Sequence, residues 1–158
     1  MRLAGAALAS LAAALLAWRA GTLTRGGAVA ATLVGTAVLA GTGWPGAAAL
    51  AAFFVSSNLV DRLVAIRHPA PGEAKGSRRD QWQVLANGGP AAVGGLLGVA
   101  EPGLGLWVVS ASLAAAGADT WATALGATSP HPPRHVLTRT PVPPGTSGGV
   151  TLRGTLGG

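Results

Sequence analysis

The chain has 158 residues, of which 49% are hydrophobic and only 10% are charged, and its formal net charge is +6. Soluble domains carry about 25% charged residues, so the composition excludes an ordinary water-soluble domain, and the long apolar runs exclude a disordered chain. The lack of cysteine excludes a disulfide framework and a thiolate site. The basic charge is typical of loops that set membrane topology, and we expect no nucleic-acid partner.

The apolar residues fall into successive segments that resemble membrane helices, each of which needs about 20 mostly apolar residues. The predicted helices are Leu3–Trp18, Gly26 or Ala28 to Ala40, Ala47–Ile66, Gln83–Val99 and Leu104–Ala127. A signal peptide is the alternative for the first helix, but no convincing cleavage site follows it. Val150–Gly158 resembles the opening turns of another helix. The predicted fold is all-α, a polytopic transmembrane bundle of about five spans plus the start of a sixth.

The connections between these helices are rich in glycine, proline or charge. Gly41–Gly46 and Glu101–Gly103 are predicted turns, and Arg67–Gln81 and Ser129–Gly149 are predicted loops. The run Asn87–Pro90 is predicted to interrupt the fourth helix near its start. Residues 1–158 are read as a single integral membrane domain that is expected to be incomplete at its C-terminal end.

When successive connections between helices are assigned alternately to the two sides of a membrane, the basic residues gather on one side. All but one of the 11 basic residues then fall on one side, and positive-inside counting makes that side cytoplasmic. The prediction is a multi-pass protein of the cell membrane with its N-terminus outside. The polar motifs described next lie in or beside the cytoplasmic connections.

A first polar motif precedes the fourth helix. Arg78, Arg79 and Asp80 are consecutive, and Gln83 and Asn87 follow one helical turn apart on a common face. Guanidinium groups suit phosphate oxygens, and a broken membrane helix often borders a binding site. We interpret Arg78 and Arg79 as phosphate ligands, Asp80 as a catalytic carboxylate, and the two amides as substrate contacts. The alternative is that the arginines set topology and pair with Asp80.

A second motif lies near the end of the fifth helix, where Asp119 and Thr120 precede Trp121. An acidic residue in a membrane segment is costly and points to function, although a boundary residue beside an interfacial Trp121 is the alternative. We interpret Asp119 as catalytic and Thr120 as a polar substrate contact. Carboxylates with water and phosphate suit Mg²⁺, so Mg²⁺ held by Asp80 and Asp119 is the expected cofactor.

A third motif is the glycine-rich run Pro143–Gly149. Such turns present backbone N–H groups to anions, and a helix beginning near Val150 would add its positive end. It is not a Walker A loop, since no Gly-Lys-Ser/Thr follows, and a flexible linker is the alternative. Its predicted phosphate-binding residues are Gly145, Thr146, Ser147 and Gly148. The histidines show no metal or catalytic spacing and are left unassigned: His68, His131 and His135.

These motifs together resemble one integral membrane family. The runs that carry the resemblance, in chain order, are TRGGAVAATLVG (Thr24–Gly35), FFVSSNL (Phe53–Leu59), RRDQWQVLANGG (Arg78–Gly89), ADTWATALG (Ala118–Gly126) and VPPGTSGGVTLRGT (Val142–Thr155). The family contains plant phytyl-phosphate kinase and animal transmembrane protein 19, and its bacterial members form the domain-of-unknown-function ninety-two group. The resemblance covers roughly Leu23 to the end of the chain.

The resemblance implies a kinase that transfers a phosphate from a nucleoside triphosphate to a prenyl phosphate at the cytoplasmic face of the lipid bilayer. Two departures matter, because the family usually has Glu where this chain has Ala124 and usually continues through further C-terminal helices. A non-catalytic membrane protein is therefore the alternative, either a degenerate family member or a subunit of a larger assembly. The expected protein partners are further copies of the chain in a homo-oligomer or a partner subunit. A small-solute transporter ranks last.

Overall fold

The computed structural model describes residues 3–67 and 78–158. Most of the predicted charged loop, including His68 and Lys75, lies outside the described residues. The elements in chain order are α1 (Leu3–Arg19), α2 (Arg25–Arg67), α3 (Gln81–Gly98), α4 (Pro102–Gly126), β1 (Arg134–His135), β2 (Gly149–Val150) and α5 (Leu152–Gly157). The prediction of a mostly helical chain is confirmed.

The chain divides into two compact units. The first comprises Met1–Val55 and Ala74–Ala116, and the second comprises Ser56–Glu73 and Gly117–Gly158. Helices α2 and α4 each begin in the first unit and end in the second.

In the first unit, α1 and the start of α2 are joined by a short turn. The hydroxyl of Thr22 donates to the Ala17 carbonyl at 2.8 Å and closes this turn. Farther along, Gly35 of α2 lies so close to Ser10 of α1 that a Cβ at Gly35 would be 2.9 Å from the Ser10 Oγ. Small residues at such positions let helices approach closely. The buried cluster at this end consists of Ala14, Leu23 and Ala28.

Helix α2 contains a single non-helical residue in place of the predicted turn. Gly43 has φ 65° and ψ −154°, a conformation that glycine adopts without strain. Pro45 lies just beyond this break, in the first turn of the second half, where a missing N–H costs least. The prediction of a six-residue turn over Gly41–Gly46 was therefore wrong in its extent. The second half folds back on the first, and its Leu50 and Phe53 pack against the buried cluster that contains Val34 and Val38.

Helix α3 begins two residues earlier than predicted and is continuous. Asp80 is its N-cap, and Gln83 completes a capping box with it. The predicted interruption at Asn87–Pro90 was wrong, since the helix runs through Pro90 to Gly98. Pro90 cannot donate to the Ala86 carbonyl, but its fixed φ remains compatible with a helix.

Glycines bring α2, α3 and α4 into close contact. A Cβ at Gly98 of α3 would lie 2.7 Å from the Gly41 carbonyl oxygen of α2. A Cβ at Gly94 would lie 2.8 Å from the backbone nitrogen of Val109 in α4. Neither position has room for a side chain, so backbone approach replaces side-chain packing. The buried cluster beside this contact consists of Val34, Val38, Ala91, Val109 and Leu113.

The second unit contains a small antiparallel pair of strands that the sequence did not predict. β1 pairs with β2 so that Arg134 lies opposite Val150 and His135 opposite Gly149. The predicted proline-rich loop is therefore folded, and an additional bridge joins Arg134 to Pro141. Helix α5 follows, capped by the Thr151 hydroxyl, which accepts from the Gly154 N–H at 3.0 Å.

The final part of α4 packs against α5. A Cβ at Gly154 would lie 2.7 Å from the Ala122 carbonyl oxygen and 3.3 Å from the Cα of Gly126. The Arg153 guanidinium donates to the Thr128 carbonyl at 2.7 Å. The short α5 is therefore held against α4 by close backbone packing and one charged hydrogen bond.

One helix among the described residues, Arg25–Ala65, is long and apolar enough to cross a membrane by its length and composition. Helix α1 is apolar as well but shorter.

Candidate functional site

The first unit contains a mostly apolar cavity of about 310 Å³ that is open to the outside. It is bordered by α1, by both halves of α2 and by the first turns of α3. Small side chains of α1 form one side, and larger ones of α2 form another. The apolar side chains that border it include Ala9, Ala13, Leu39, Trp44, Leu50, Ala51, Phe53 and Phe54. A cavity of this size and lining is typical of a small-molecule site.

Three of the predicted site residues border this cavity together. Arg79, Gln83 and Asn87 all line it, with the buried Gly88 beside them. Gln83 and Asn87 are one helical turn apart on α3, as the sequence indicated. Arg78 is exposed and does not line the cavity. The cavity therefore joins a long apolar lining to a short polar edge carrying one guanidinium.

Two backbone hydrogen bonds fix the position of Arg79. Its N–H donates to the Thr22 carbonyl at 2.9 Å, and its carbonyl accepts from the Thr24 N–H at 3.0 Å. Its guanidinium lies over the ring of Phe53, 5.8 Å from the ring centre. The turn before α2 thus sets the position of the charge, and Phe53 supports it.

The first turns of α2 and α3 meet at this edge. The Thr24 hydroxyl accepts from the Gly27 N–H at 3.0 Å and caps α2. A side chain at Gly27 would collide with the Arg79 carbonyl, and one at Gly26 with the Gln81 side chain. The glycines after Thr24 therefore allow the two helix starts, with their partial positive charges, to approach each other.

Asp80 has a structural role that the sequence analysis did not assign. Its Oδ1 accepts from the Gln83 N–H at 2.9 Å, and the Gln83 Oε1 accepts from the Asp80 N–H at 3.3 Å. This pair is the capping box of α3. The capping bond uses Oδ1 and leaves Oδ2 outside it, so a ligand role stays a prediction.

Asp119 and Thr120 lie on α4 within the second unit. Asp119 is exposed and Thr120 is half-buried. Asp80 belongs to the first unit, so the predicted pair of carboxylates is divided between the units. Within residues 3–67 and 78–158, no group of three or more His, Cys, Asp or Glu side chains is arranged to hold a metal ion. Magnesium binding stays a prediction.

The glycine-rich segment forms a closed turn on the surface of the second unit. Gly145 and Gly148 have φ values of 82° and 76°, which glycine adopts readily. The Thr146 hydroxyl donates to the Pro143 carbonyl at 2.7 Å, and the Gly149 N–H donates to the Thr146 carbonyl at 2.9 Å. α5 begins at Leu152 with its own cap, two residues after the predicted start near Val150, and the short strand β2 lies between the loop and this helix.

Ala124 lies on the packed side of the last part of α4. It is 8% exposed, and the neighbouring turn of α4 contacts α5 through Ala122 and Gly126. A glutamate side chain at this position would need more space than the methyl group of Ala124 fills.

Two features of these sites were missed from the sequence. The sequence does not indicate the apolar lining of the cavity, although the motif FFVSSNL contains two of its residues, Phe53 and Phe54. The position of the His135 side chain beside Gly148 does not follow from the spacing of the histidines in the sequence. The signal for both is the fold itself, because each feature joins residues that are distant in sequence.

Comparison with known protein families identifies the family to which the chain belongs. The family described as Integral membrane protein DUF92 matches residues 8–158. The chain therefore belongs to this family of integral membrane proteins. No curated protein and no solved structure gives a significant match. Family membership and the apolar helix Arg25–Ala65 indicate a membrane location.

Proposed function

We propose that this integral membrane protein is a phosphotransferase that acts on a prenyl monophosphate, using a nucleoside triphosphate as donor. The observation that carries the proposal is the cavity of the first unit, which combines an apolar lining with Arg79, Gln83 and Asn87 at one edge. An isoprenoid phosphate has the same two parts, an apolar chain and an anionic head. The resemblance of the motifs to phytyl-phosphate kinase supports this substrate class.

The chain of the lipid would occupy the cavity. Each buried methylene contributes about 0.8 kcal/mol, so a prenyl chain of several units gains substantial binding free energy from this lining. Its phosphate would lie at Arg79, whose guanidinium can bind two phosphate oxygens. Gln83 and Asn87 would donate amide N–H groups to the same head group. The two helix starts would add favourable partial charge.

Phosphoryl transfer requires mainly positioning and charge neutralisation. We propose Asp119 as the carboxylate that holds Mg²⁺ arriving with the nucleotide, since Mg²⁺ is commonly bound by one or two carboxylates and phosphate oxygens. The Oδ2 of Asp80, which the capping bond does not use, is proposed as a separate carboxylate contact within the first unit. Thr120 and the segment Gly145–Gly148 are proposed to contact polar groups of the substrates.

A multi-pass arrangement follows from the same proposal. In the first unit the α1–α2 turn and the start of α3 lie at one end, and both are basic: Arg19, Arg25, Arg78 and Arg79. Positive-inside counting supports a cytoplasmic location for this end. The two halves of α2 would then cross separately, giving about five spans, and Arg79 would face the compartment that supplies the nucleotide.

The test is a product assay with the purified protein. Geranylgeranyl monophosphate, Mg²⁺ and either ATP or CTP are supplied, and prenyl diphosphate is measured by mass spectrometry. We expect product with the native chain, and a loss of at least about tenfold in Arg79→Gln, because a hydrogen bond to a charged group contributes about 1.5–3 kcal/mol. Arg78→Gln is the matched control, since Arg78 does not line the cavity.

A second candidate is a lipid-binding member without catalytic activity. The buried Ala124 favours it, because the related family usually has Glu at this position and Ala124 cannot bind a metal or a proton. This candidate predicts prenyl monophosphate binding without diphosphate formation. Product formed only by Ala124→Glu would support it, whereas product formed by the native chain would exclude it.

A further inference from the structure

The hydroxyl of Ser10 is a polar group on the apolar wall of the cavity. Ser10 lies in the middle of α1, is only 8% exposed and borders the cavity. Among residues 3–67 and 78–158, its Oγ has no hydrogen-bond partner. The Ser57 Oγ, which also lacks one, is fully enclosed, whereas the Ser10 Oγ is not enclosed and is open to the cavity.

The packing of α1 on α2 holds this hydroxyl in place. Other helix hydroxyls of the first unit turn back to their own helix: Thr32 donates to the Ala28 carbonyl at 2.8 Å, and Thr36 to the Thr32 carbonyl at 2.7 Å. The Ser10 Oγ lies against Gly35 of α2 instead, where a Cβ would be 2.9 Å away. Gly35 borders the cavity as well, so the hydroxyl is held at the junction of the two helices on the cavity wall.

The neighbours of Ser10 and Gly35 on this wall are apolar: Ala9, Ala13, Val34 and Leu39. A hydroxyl that remains unpaired in apolar surroundings is unfavourable. A saturated hydrocarbon chain that filled the cavity would exclude water from this hydroxyl and offer it no acceptor. The π electrons of a carbon–carbon double bond are a weak acceptor. The wall therefore distinguishes unsaturated from saturated chains.

Ser10 lies well inside the cavity, away from its polar edge. The Arg79 carbonyl accepts from the Thr24 N–H, and from Thr24 to Gly35 the chain rises about 16 Å along α2. A phosphate held by the side chains of the polar edge lies deeper than the Arg79 backbone, which leaves roughly 10 Å between the phosphate and Ser10. An extended carbon chain advances about 1.3 Å per bond. Ser10 would therefore meet the second or third isoprene unit of a prenyl chain.

We infer that the cavity selects a prenyl chain that keeps its double bonds along its length, and that Ser10 is the residue that selects it. The Ser10 hydroxyl donates to the π face of the double bond in the second or third unit. A geranylgeranyl chain has a double bond in every unit, whereas a phytyl chain keeps only the first. The inference rests on the proposed function for the phosphate end of the ligand, and it assigns Ser10 to chain selection rather than to phosphoryl transfer.

The test compares geranylgeranyl monophosphate with phytyl monophosphate, which share chain length and methyl branches and differ in these double bonds. Equilibrium binding of both lipids is measured in detergent for the native chain, Ser10→Ala and Ser112→Ala. Alanine removes the hydroxyl without adding bulk against Gly35. Ser112→Ala is the matched control, because the Ser112 hydroxyl donates to the Val109 carbonyl at 3.0 Å and Ser112 does not border the cavity.

The measured quantity is the ratio of the two affinities, since the difference in detergent partition between the lipids is the same for every variant. We expect Ser10→Ala to lower the preference for the geranylgeranyl lipid about threefold, and Ser112→Ala to keep the native ratio. An unchanged ratio in Ser10→Ala would overturn the inference and leave the proposed function intact. Binding of neither lipid to the native chain would overturn both. A ratio that depends on Ser10 without any turnover would refute only the kinase.

A second measurement uses the native chain alone. Analogues of geranylgeranyl monophosphate, each with one isoprene unit saturated, are compared for binding. We expect saturation of the second or third unit to weaken binding more than saturation of the terminal unit, because the hydroxyl has a fixed depth in the cavity. Equal effects at every unit would contradict a fixed donor at Ser10.

Discussion

Asp80 shows how one residue can serve the fold and the proposed chemistry at once. Its Oδ1 caps α3 through the Gln83 N–H, and Gln83 itself lines the cavity. Loss of the cap would therefore also displace a cavity residue. Separating the two roles requires a substitution that preserves the cap and removes the charge.

Asp80→Asn and Asp80→Ala provide that separation. Asparagine caps helices about as well as aspartate, whereas alanine costs about 0.5–2 kcal/mol. We expect the thermal unfolding temperature to be unchanged in Asp80→Asn and lowered in Asp80→Ala. We expect prenyl diphosphate formation to be lost in both variants. Full activity of Asp80→Asn would reduce Asp80 to a purely structural residue.

Arg79 has the same double character, since its backbone joins the α1–α2 turn while its guanidinium lies over Phe53. The position of the charge could not be predicted from the sequence. RRDQ marks a polar run, but only the bridge between Leu23 and Arg79 brings it to the cavity edge. The equivalent Arg78 points elsewhere and is exposed.

At the scale of elements, the helices assemble through glycine. A Cβ at Gly95 of α3 would collide with the Ala37 carbonyl of α2, whereas one at Gly89 would meet nothing within 4 Å. Both glycines lie inside the same helix. They therefore separate the cost of close helix packing from the general effect of glycine on helix stability.

We predict different effects for alanine at these two positions. Gly95→Ala should lower the free energy of unfolding by about 1–3 kcal/mol through overpacking. Gly89→Ala should change it by less than about 1 kcal/mol, because the restriction of the unfolded chain is opposed by the contact of the new Cβ with the ring of Pro90. Thermal unfolding in detergent measures both, and equal effects would contradict the α2–α3 packing.

The sequence was sufficient for the helical segments and insufficient where local signals compete with packing. Apolar runs located α1, α3 and α4 to within a few residues. Gly43 and Pro45 correctly indicated a break, but Pro45 fits the first turn of a helix, so the break is one residue long. Pro90 predicts an interruption, yet α3 continues through it, and the adjacent Ala91 is packed in the core.

The candidate sites were predictable to different degrees. The amides of Gln83 and Asn87 were placed on one helix face by their spacing alone. The position of His135 beside Gly148 could not be predicted, because β1 and β2 are two residues each and carry no periodic pattern. The apolar cavity depends on α2 folding back on itself, which no local pattern specifies.

At the scale of the whole molecule, the proposal requires the two ends of the first unit to lie on opposite sides of a membrane. The chain has no cysteine, so single cysteines can be introduced without a background. Ala20 lies in the α1–α2 turn and is exposed, and a Cβ at Gly103 would meet nothing within 4 Å. Both positions therefore tolerate a small side chain.

We predict that a membrane-impermeant maleimide labels Gly103→Cys in intact cells and labels Ala20→Cys only after permeabilisation. Labelling is read from a gel shift with a mass-tagged reagent. The reverse pattern would invert the orientation, and labelling of both positions in intact cells would contradict a multi-pass arrangement.

The central claim is that the cavity of the first unit holds the apolar chain of a lipid phosphate. Ala51 and Ala52 are adjacent, exposed residues of α2, and only Ala51 borders the cavity. The most direct measurement is equilibrium binding of geranylgeranyl monophosphate to Ala51→Phe and Ala52→Phe. The cavity predicts a large loss of affinity for Ala51→Phe and native affinity for Ala52→Phe, whereas native affinity in both, or an equal loss in both, would contradict it.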